Sequence, residues 1–275
     1  MSNEDEITGH WSTGDLAQTI LAALNEAGVD TENLTAKDLE PLDNMHGGGA
    51  GATREMMASL SPKPDQHLLD IGSGVGGPAR LLASETGVKV TGIDLTPEFC
   101  DVAVMLTEKT GLSGLVGFQQ GSALELPFDD ASFDGAYTQN VTMNIPDKAS
   151  FYAEAHRVVK PGGLFVSVSL AEGPDGPPFF PVPWAKAPED SHLVSPDETR
   201  RLIEEAGFQV IELIDKTGAM LEFYEQNRKK AAAEGPPPLS PHIILGDDGK
   251  ERLKNSARSV EEKRTIPIEI LCRRH

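Results

Sequence analysis

The sequence predicts an α/β fold, a doubly wound and mainly parallel sheet with helices on both faces. Three observations predict it. Successive strand–helix units follow one another from His67 onward, and parallel neighbours need crossover helices. A glycine-rich turn, Gly72, Gly74 and Gly77 in "LLDIGSGVGGPARLLA", joins the first strand to its helix. The second strand ends in an acid, Asp94, where sheets of this kind hold a ribose.

The elements follow in order. Ser12 with Asp15 has capping-box spacing, and Leu16, Ile20 and Leu24 recur every four residues, so a helix presents one apolar stripe to a core. Thr35 with Asp38 opens a second short helix that Pro41 should end or bend. Gly47, Gly48 and Gly49 make a turn into a helix from about Ala52. "HLLDIG" is a buried strand and "PARLLASETG" its helix, stopped by Gly87. "KVTGIDL" is a strand, and Thr96 and Pro97 start the helix that Gly111 closes. "VGFQQG" and "FDGAYTQN" are strands, and "KASFYAEAHRVVKPGG" is a helix ended by Pro161-Gly162-Gly163. "LFVSVSL" is the fifth strand. The six prolines of "AEGPDGPPFFPVPWAKAPEDSH" then impose a long loop, of the kind that is usually functional or disordered. Ser195, Pro196 and Glu198 restart a helix with a capping box, and "FQVIELID" is strand six. A polar, helical stretch from about 218 to 264 precedes a last strand, "TIPIEILC".

Bulk properties narrow the function. The formal charge of −19 repels phosphate backbones and anionic lipid, so neither nucleic acid nor membrane is expected as a partner. No apolar run approaches the roughly 18 residues of a membrane span. Cys100 and Cys272 offer no disulfide framework and no metal-ligand spacing, which suits a reducing cytoplasm, and no metal is expected. The acidic, polar start "MSNEDEITGHW" is unlike a secretory signal.

The glycine turn alone fits either a dinucleotide or a sulfonium nucleoside. Asp70 separates the two. A carboxylate just before the first glycine repels a pyrophosphate and suits a ligand carrying ammonium and sulfonium groups. Asp94 serves a ribose in both cases.

With "LLDIGSGVGG", "GIDL", "GSALELPF", "SFDGAYTQN" and "RVVKPGG" in this order, the chain resembles the class I S-adenosylmethionine-dependent methyltransferases. The resemblance runs from about Leu68 to Leu170, with "EEAGFQVIEL" beyond it. It implies a Rossmann-like sheet of seven strands, the last antiparallel, with N-terminal helices and a helical lid insertion. It implies S-adenosylmethionine as cofactor, its methionine end against Asp70, Gly72, Ser73, Gly74 and Gln139. Asp94 then takes the ribose, and Leu95, Ser122, Ala123 and Leu124 surround the adenine.

The opening helix, the "MHGGGAGAT" turn and "PVPWA" are similar, over short patches, to the sarcosine and dimethylglycine N-methyltransferase branch. Relatives there often carry an Arg where this chain has Ala50, so a substrate carboxylate lacks its bidentate partner unless Arg54 replaces it. The expected activity is methyl transfer to a small molecule, most plausibly at an amine nitrogen. O-methylation with His46 as base is the alternative within the class. A nicotinamide oxidoreductase and a non-catalytic cofactor binder are the alternatives outside it. Candidate acceptor-side residues are His46, Trp11, Asn140, Met143 and Trp184, with Phe180 beside the last as an aromatic wall. His156 reads as structural, and His192 and His242 as surface residues. The expected layout is one domain over 1–275, acting as a monomer or homodimer: helical cap 1–60, cofactor-binding core 61–217, helical insertion 218–264, last strand 265–275.

Overall fold

The computed structural model describes residues 3–275, so the first two residues of the expected cap lie outside it. Seven strands form one sheet: β1 (His67–Ile71), β2 (Lys89–Asp94), β3 (Val116–Gln120), β4 (Phe133–Gln139), β5 (Val159–Glu172), β6 (Phe208–Asp215) and β7 (Thr265–Arg274). Their order is β3-β2-β1-β4-β5-β7-β6. β1 to β5 pair in parallel, and β7 runs antiparallel between β5 and β6. The direction of winding reverses between β1 and β4, which leaves a crevice at their carboxyl ends, where ligands of open α/β sheets bind.

Helices cover both faces. One apolar cluster packs Phe151, Tyr152, Phe165 and Phe208 against the sheet, and another packs Met56, Leu82 and Val166 on the opposite side. The crossover helices are α5 (Gly77–Thr86), α6 (Pro97–Lys109), α7 (Lys148–Val158) and α8 (Pro196–Glu205). Before β1 lie α1 (Asn3–Trp11), α2 (Leu16–Glu26), α3 (Ala36–Asp43) and α4 (Gly49–Leu60). Between β6 and β7 lie α9 (Thr217–Glu234), α10 (His242–Leu245) and α11 (Gly249–Glu261). Among the described residues no helix is long and apolar enough to cross a membrane.

Several ends differ from expectation. Ser12 does not cap α2. The Glu98 carboxylate of α6 does, accepting from the backbone N–H groups of Thr13, Gly14 and Leu16 at 2.7, 3.0 and 2.9 Å. A tertiary acid thus does the work of the local box. The Thr35–Asp38 box is present as read. α4 starts at Gly49 rather than Ala52, entered through Gly48 in the left-handed region. Lys160 to Gly163 belong to β5, whose pairing with β4 shifts register between Phe133 and Gly135. At α8 only half the box forms: Ser195 accepts from the Glu198 N–H, while the Glu198 carboxylate pairs with Arg201.

Candidate active site

The crevice holds a cavity of about 150 Å³. Asp70, Gly72, Ser73, Gly74, Asp94, Leu95, Ser122, Ala123, Leu124 and Gln139 all line it. The turn after β1 shapes its floor. Gly72 has φ +78°, and a Cβ there would collide with Val141, so only glycine lets the chain pass. The N–H groups of Gly72 and Ser73 both donate to the Ile93 carbonyl, at 2.8 and 3.0 Å, which ties the turn to β2. Asp94 completes the link, with Oδ2 accepting from Gly74 N–H at 2.8 Å and Oδ1 from Thr96 N–H at 2.9 Å. Each oxygen keeps a second lone pair.

Asp70, one residue before the end of β1, is only 2% exposed, and its Oδ2 has no hydrogen-bond partner among the described residues. Burial pushes its carboxyl up to about 8, the Tyr137 hydroxyl opposing and Asp94 adding to the rise. Burial also raises Asp94, against the hydrogen bonds from Thr96 and Gly74. Ser73 Oγ and Gln139 Nε2 are also buried and without partners among the described residues. Three orphaned polar atoms on residues lining one cavity call for a polar ligand, since a buried unsatisfied group is costly. The donor set is two carboxylates, a hydroxyl and an amide around a glycine turn. It fits a nucleoside bearing an amino-acid cation.

His46 lines the same cavity at the glycine turn before α4. Its Nε2 is 3.0 Å from Thr53 Oγ1 and its Nδ1 3.3 Å from the Gly47 carbonyl. Burial lowers it to about 4, so the ring is neutral at pH 7 and carries one proton. Thr53 is wholly buried and central: its hydroxyl also reaches Asn44 Oδ1 at 3.0 Å and Gln139 Oε1 at 3.4 Å. With one proton to give, Thr53 ties the orientation of Gln139 to the tautomer of His46.

The acceptor side is less as expected. Trp11 lines the cavity and also packs its ring 5.8 Å from Phe99. Asn140 lines the cavity in the left-handed region, φ +55°. Met143 and Trp184 line neither this cavity nor the second one, against α4 and α9. They sit 1% and 5% exposed in an apolar cluster with Leu170 and Val182, and the Trp184 indole donates to Ser191 Oγ at 2.9 Å. The proline-rich loop folds back as core, and Phe180 packs against the same cluster. Arg54 is held by Glu40 and Glu85 at 2.5 and 2.7 Å and lines neither cavity, so it does not replace the missing arginine there. His156 packs edge-on against Phe208, in keeping with a structural role.

The structure adds Glu4 and Ile7 of α1, and Pro146 after β4, to the cavity wall. Glu4 meets Ser122 Oγ at 2.5 Å. No periodicity marks α1 as a wall; Trp11 was its one visible signal. A second cavity, about 290 Å³, lies against α4 and α9, and Asn140 lines both. Among the described residues no group of three His, Cys, Asp or Glu side chains could hold a metal ion.

Residues 69–167 match the family model described as "Methyltransferase domain". An O-methyltransferase from Pyrenophora dematioidea is 30% identical over 204 residues, 73% of this chain and 74% of that protein. The O-methyltransferase cnsE of Penicillium expansum is 36% identical over 170 residues, 61% of this chain and 60% of the relative, so the chain spans under two thirds of that protein's length. Among solved structures, a geranyl diphosphate C-methyltransferase from Streptomyces coelicolor, in complex with Mg2+, geranyl diphosphate and S-adenosyl-L-homocysteine, aligns over 100% of this chain and 98% of its own. The TM-score is 0.71 at 19% identity, a likeness of fold.

Proposed function

Because the chain belongs to the class I S-adenosylmethionine-dependent methyltransferases, we propose that it methylates a small-molecule acceptor at an amine nitrogen, with S-adenosylmethionine as donor. The observation that carries this reading is the trio of orphaned atoms, Asp70 Oδ2, Ser73 Oγ and Gln139 Nε2, on one glycine-turn cavity. When bound, S-adenosylmethionine supplies an electrophilic methyl group on a sulfonium leaving group. Asp70 and Gln139 would hold the amino-acid end, and the free lone pairs of Asp94 the ribose hydroxyls. Leu95 and the 122–124 segment would flank the adenine. Trp11 and α1 would close the cavity against water.

His46 bears on the acceptor. A neutral amine attacks with its own lone pair, whereas a hydroxyl usually needs a base. His46, lowered to about 4 with both nitrogens engaged, is a weak base and serves better to orient Thr53 and Gln139. A second reading, O-methylation with His46 as base, has the names of the two O-methyltransferase relatives in its favour. The free, buried Cys100 and Cys272 suit a reducing cytoplasm, with the chain working as a monomer or homodimer.

Calorimetry with S-adenosylhomocysteine and with NADH, then methyl release from labelled S-adenosylmethionine over amine, phenol and thiol panels, tests the reading. Homocysteine-product binding, no NADH signal and amine turnover are expected. NADH binding would sink it. Turnover confined to phenols would replace nitrogen by oxygen. Cofactor binding with no turnover on any acceptor would leave a binder without activity.

A further inference from the structure

The second cavity begins where the first ends, at Asn140, and carries its own chemistry. α9 lies over the glycine turn, with Met220 filling the space at Gly47 and the Phe223 ring 3.8 Å from a Cβ placed on Gly49. Met220 and Phe223 give the cavity a thioether and an aromatic wall. Its charged end is a cluster on three elements. Lys216 Nζ lies 2.5 Å from Glu55 Oε2 of α4 and 3.5 Å from Glu269 Oε2 of β7. Glu269 is 3% exposed, and its Oε1 accepts from Ser59 Oγ at 2.6 Å. Glu222 of α9 adds a third carboxylate to the lining. One ammonium is therefore shared by two carboxylates, with a third nearby, and the lining keeps an excess of negative charge. Low-dielectric walls strengthen such a field, and aromatic faces attract the same sign of ligand.

We propose that this cavity is the acceptor pocket, and that the acceptor carries a positive charge remote from the atom that takes the methyl group. Its ammonium end meets the Glu55–Lys216–Glu269 cluster, its apolar body lies along Met220 and Phe223, and its reactive end reaches Asn140. The proposal rests on the methyl-transfer reading and adds the acceptor's class, an aminoalkyl compound. A carboxylate-ended acceptor is disfavoured because Lys216 is already held between two acids.

Gly51 gives a clean test. It lines this cavity alone, its φ is not in the left-handed region, and a Cβ there meets nothing within 4 Å. Gly51→Leu therefore starts from open space at its Cβ and adds bulk at the cavity wall, in a helix where replacing glycine favours folding.

Binding is measured by calorimetry with saturating S-adenosylhomocysteine, using two probe sets that differ only in the far end. One is 1,5-diaminopentane, pentylamine and 5-aminopentanoate. The other is tyramine, 4-propylphenol and 3-(4-hydroxyphenyl)propionate. In at least one set the ammonium-ended probe should bind tenfold or more tighter than the carboxylate-ended one. Gly51→Leu should weaken it at least tenfold with S-adenosylhomocysteine affinity unchanged. Glu269→Gln should narrow the ammonium-to-carboxylate ratio, with thermal melts checking that it folds. Equal or tighter binding of the carboxylate-ended probes, wild-type binding in Gly51→Leu, or no binding by any probe would overturn the proposal. Loss of S-adenosylhomocysteine binding in the wild-type protein would overturn the underlying reading instead.

Discussion

The two cavities that meet at Asn140 are built in different ways. The first is centred on short runs: a strand end and the turn after it carry Asp70 to Gly74, and the end of the next strand carries Asp94 with Leu95 just beyond it. The second is assembled from distant segments, with Gly51 and Glu55 from α4, Lys216 and Phe223 near and on α9, and Glu269 from β7. Backbone geometry governs the first and side-chain packing the second. A substitution in the first should strike fold and cofactor together. One in the second should change the choice of acceptor and leave the cofactor alone.

The largest effect is expected at Gly72. Gly72→Ala puts a Cβ into Val141 and forces a residue with φ +78° to bear one. The left-handed backbone costs about 1–2 kcal/mol and overpacking about 1–3 kcal/mol more. Thermal unfolding should show that loss, and S-adenosylhomocysteine affinity by calorimetry should fall by about a hundredfold or more, which corresponds to about 2.7 kcal/mol. A stable Gly72→Ala protein with wild-type affinity would erase the contrast between the cavities.

Next is Asp70, through pH. Its folded value of about 8 lies above an unfolded value of about 3.9. The folded carboxyl therefore holds its proton where the unfolded chain has shed it. The stability this adds is complete below about pH 4 and is lost as pH rises through about 8. A cationic ligand shows the opposite sign, because it selects the ionised form. S-adenosylmethionine affinity should rise with pH, by up to about tenfold per unit, and level off above about 8. Asp43, raised to about 6 by burial against its pairing with Arg80, lines the same cavity and also titrates, so the comparison is made in Asp70→Asn, where the rise near pH 8 should vanish. A rise near pH 8 that survives in Asp70→Asn would move the charge recognition elsewhere.

These two tests lie in the region that could be read from the chain. Strand, glycine and acid recur there at short range, so spacing alone locates the turn, and every residue the family resemblance implied for the cofactor lines one cavity. The helix caps show where such reading stops. The Thr35–Asp38 box is local and forms, while α2 is capped by Glu98, which is remote in sequence. Thr53 has the same character. A threonine on a helix gives no sign that its hydroxyl will meet Asn44, His46 and Gln139. For Met143 and Trp184 the sequence offers only neighbourhood, after β4 and in a proline-rich loop. Neighbourhood does not say on which side of a loop an apolar side chain is buried.

Thr53→Val sharpens the boundary between the regions. It keeps the shape and removes the hydroxyl, leaving Asn44 Oδ1 and a His46 nitrogen short of a partner, at a cost of about 1–3 kcal/mol in stability. Gln139 loses its anchor, so S-adenosylhomocysteine affinity should fall several-fold, and Thr53→Ser should restore it. Equal affinity in the valine variant would make the network a matter of folding alone.

The smallest effect is expected at Trp184, where the contrast is most exposed to error. Trp184→Phe keeps an aromatic ring in the cluster with Leu170 and Val182 and deletes one hydrogen bond, to Ser191. The loss should be about 0.5–1.5 kcal/mol of stability from that bond, with a little more for the smaller ring. Because Trp184 lines neither cavity, acceptor KM and kcat measured well below the melting temperature should match the wild type. A rise in KM without loss of stability would mean that the proline-rich loop turns its indole toward the acceptor during turnover. The second cavity would then be walled by α4, α9 and this loop together.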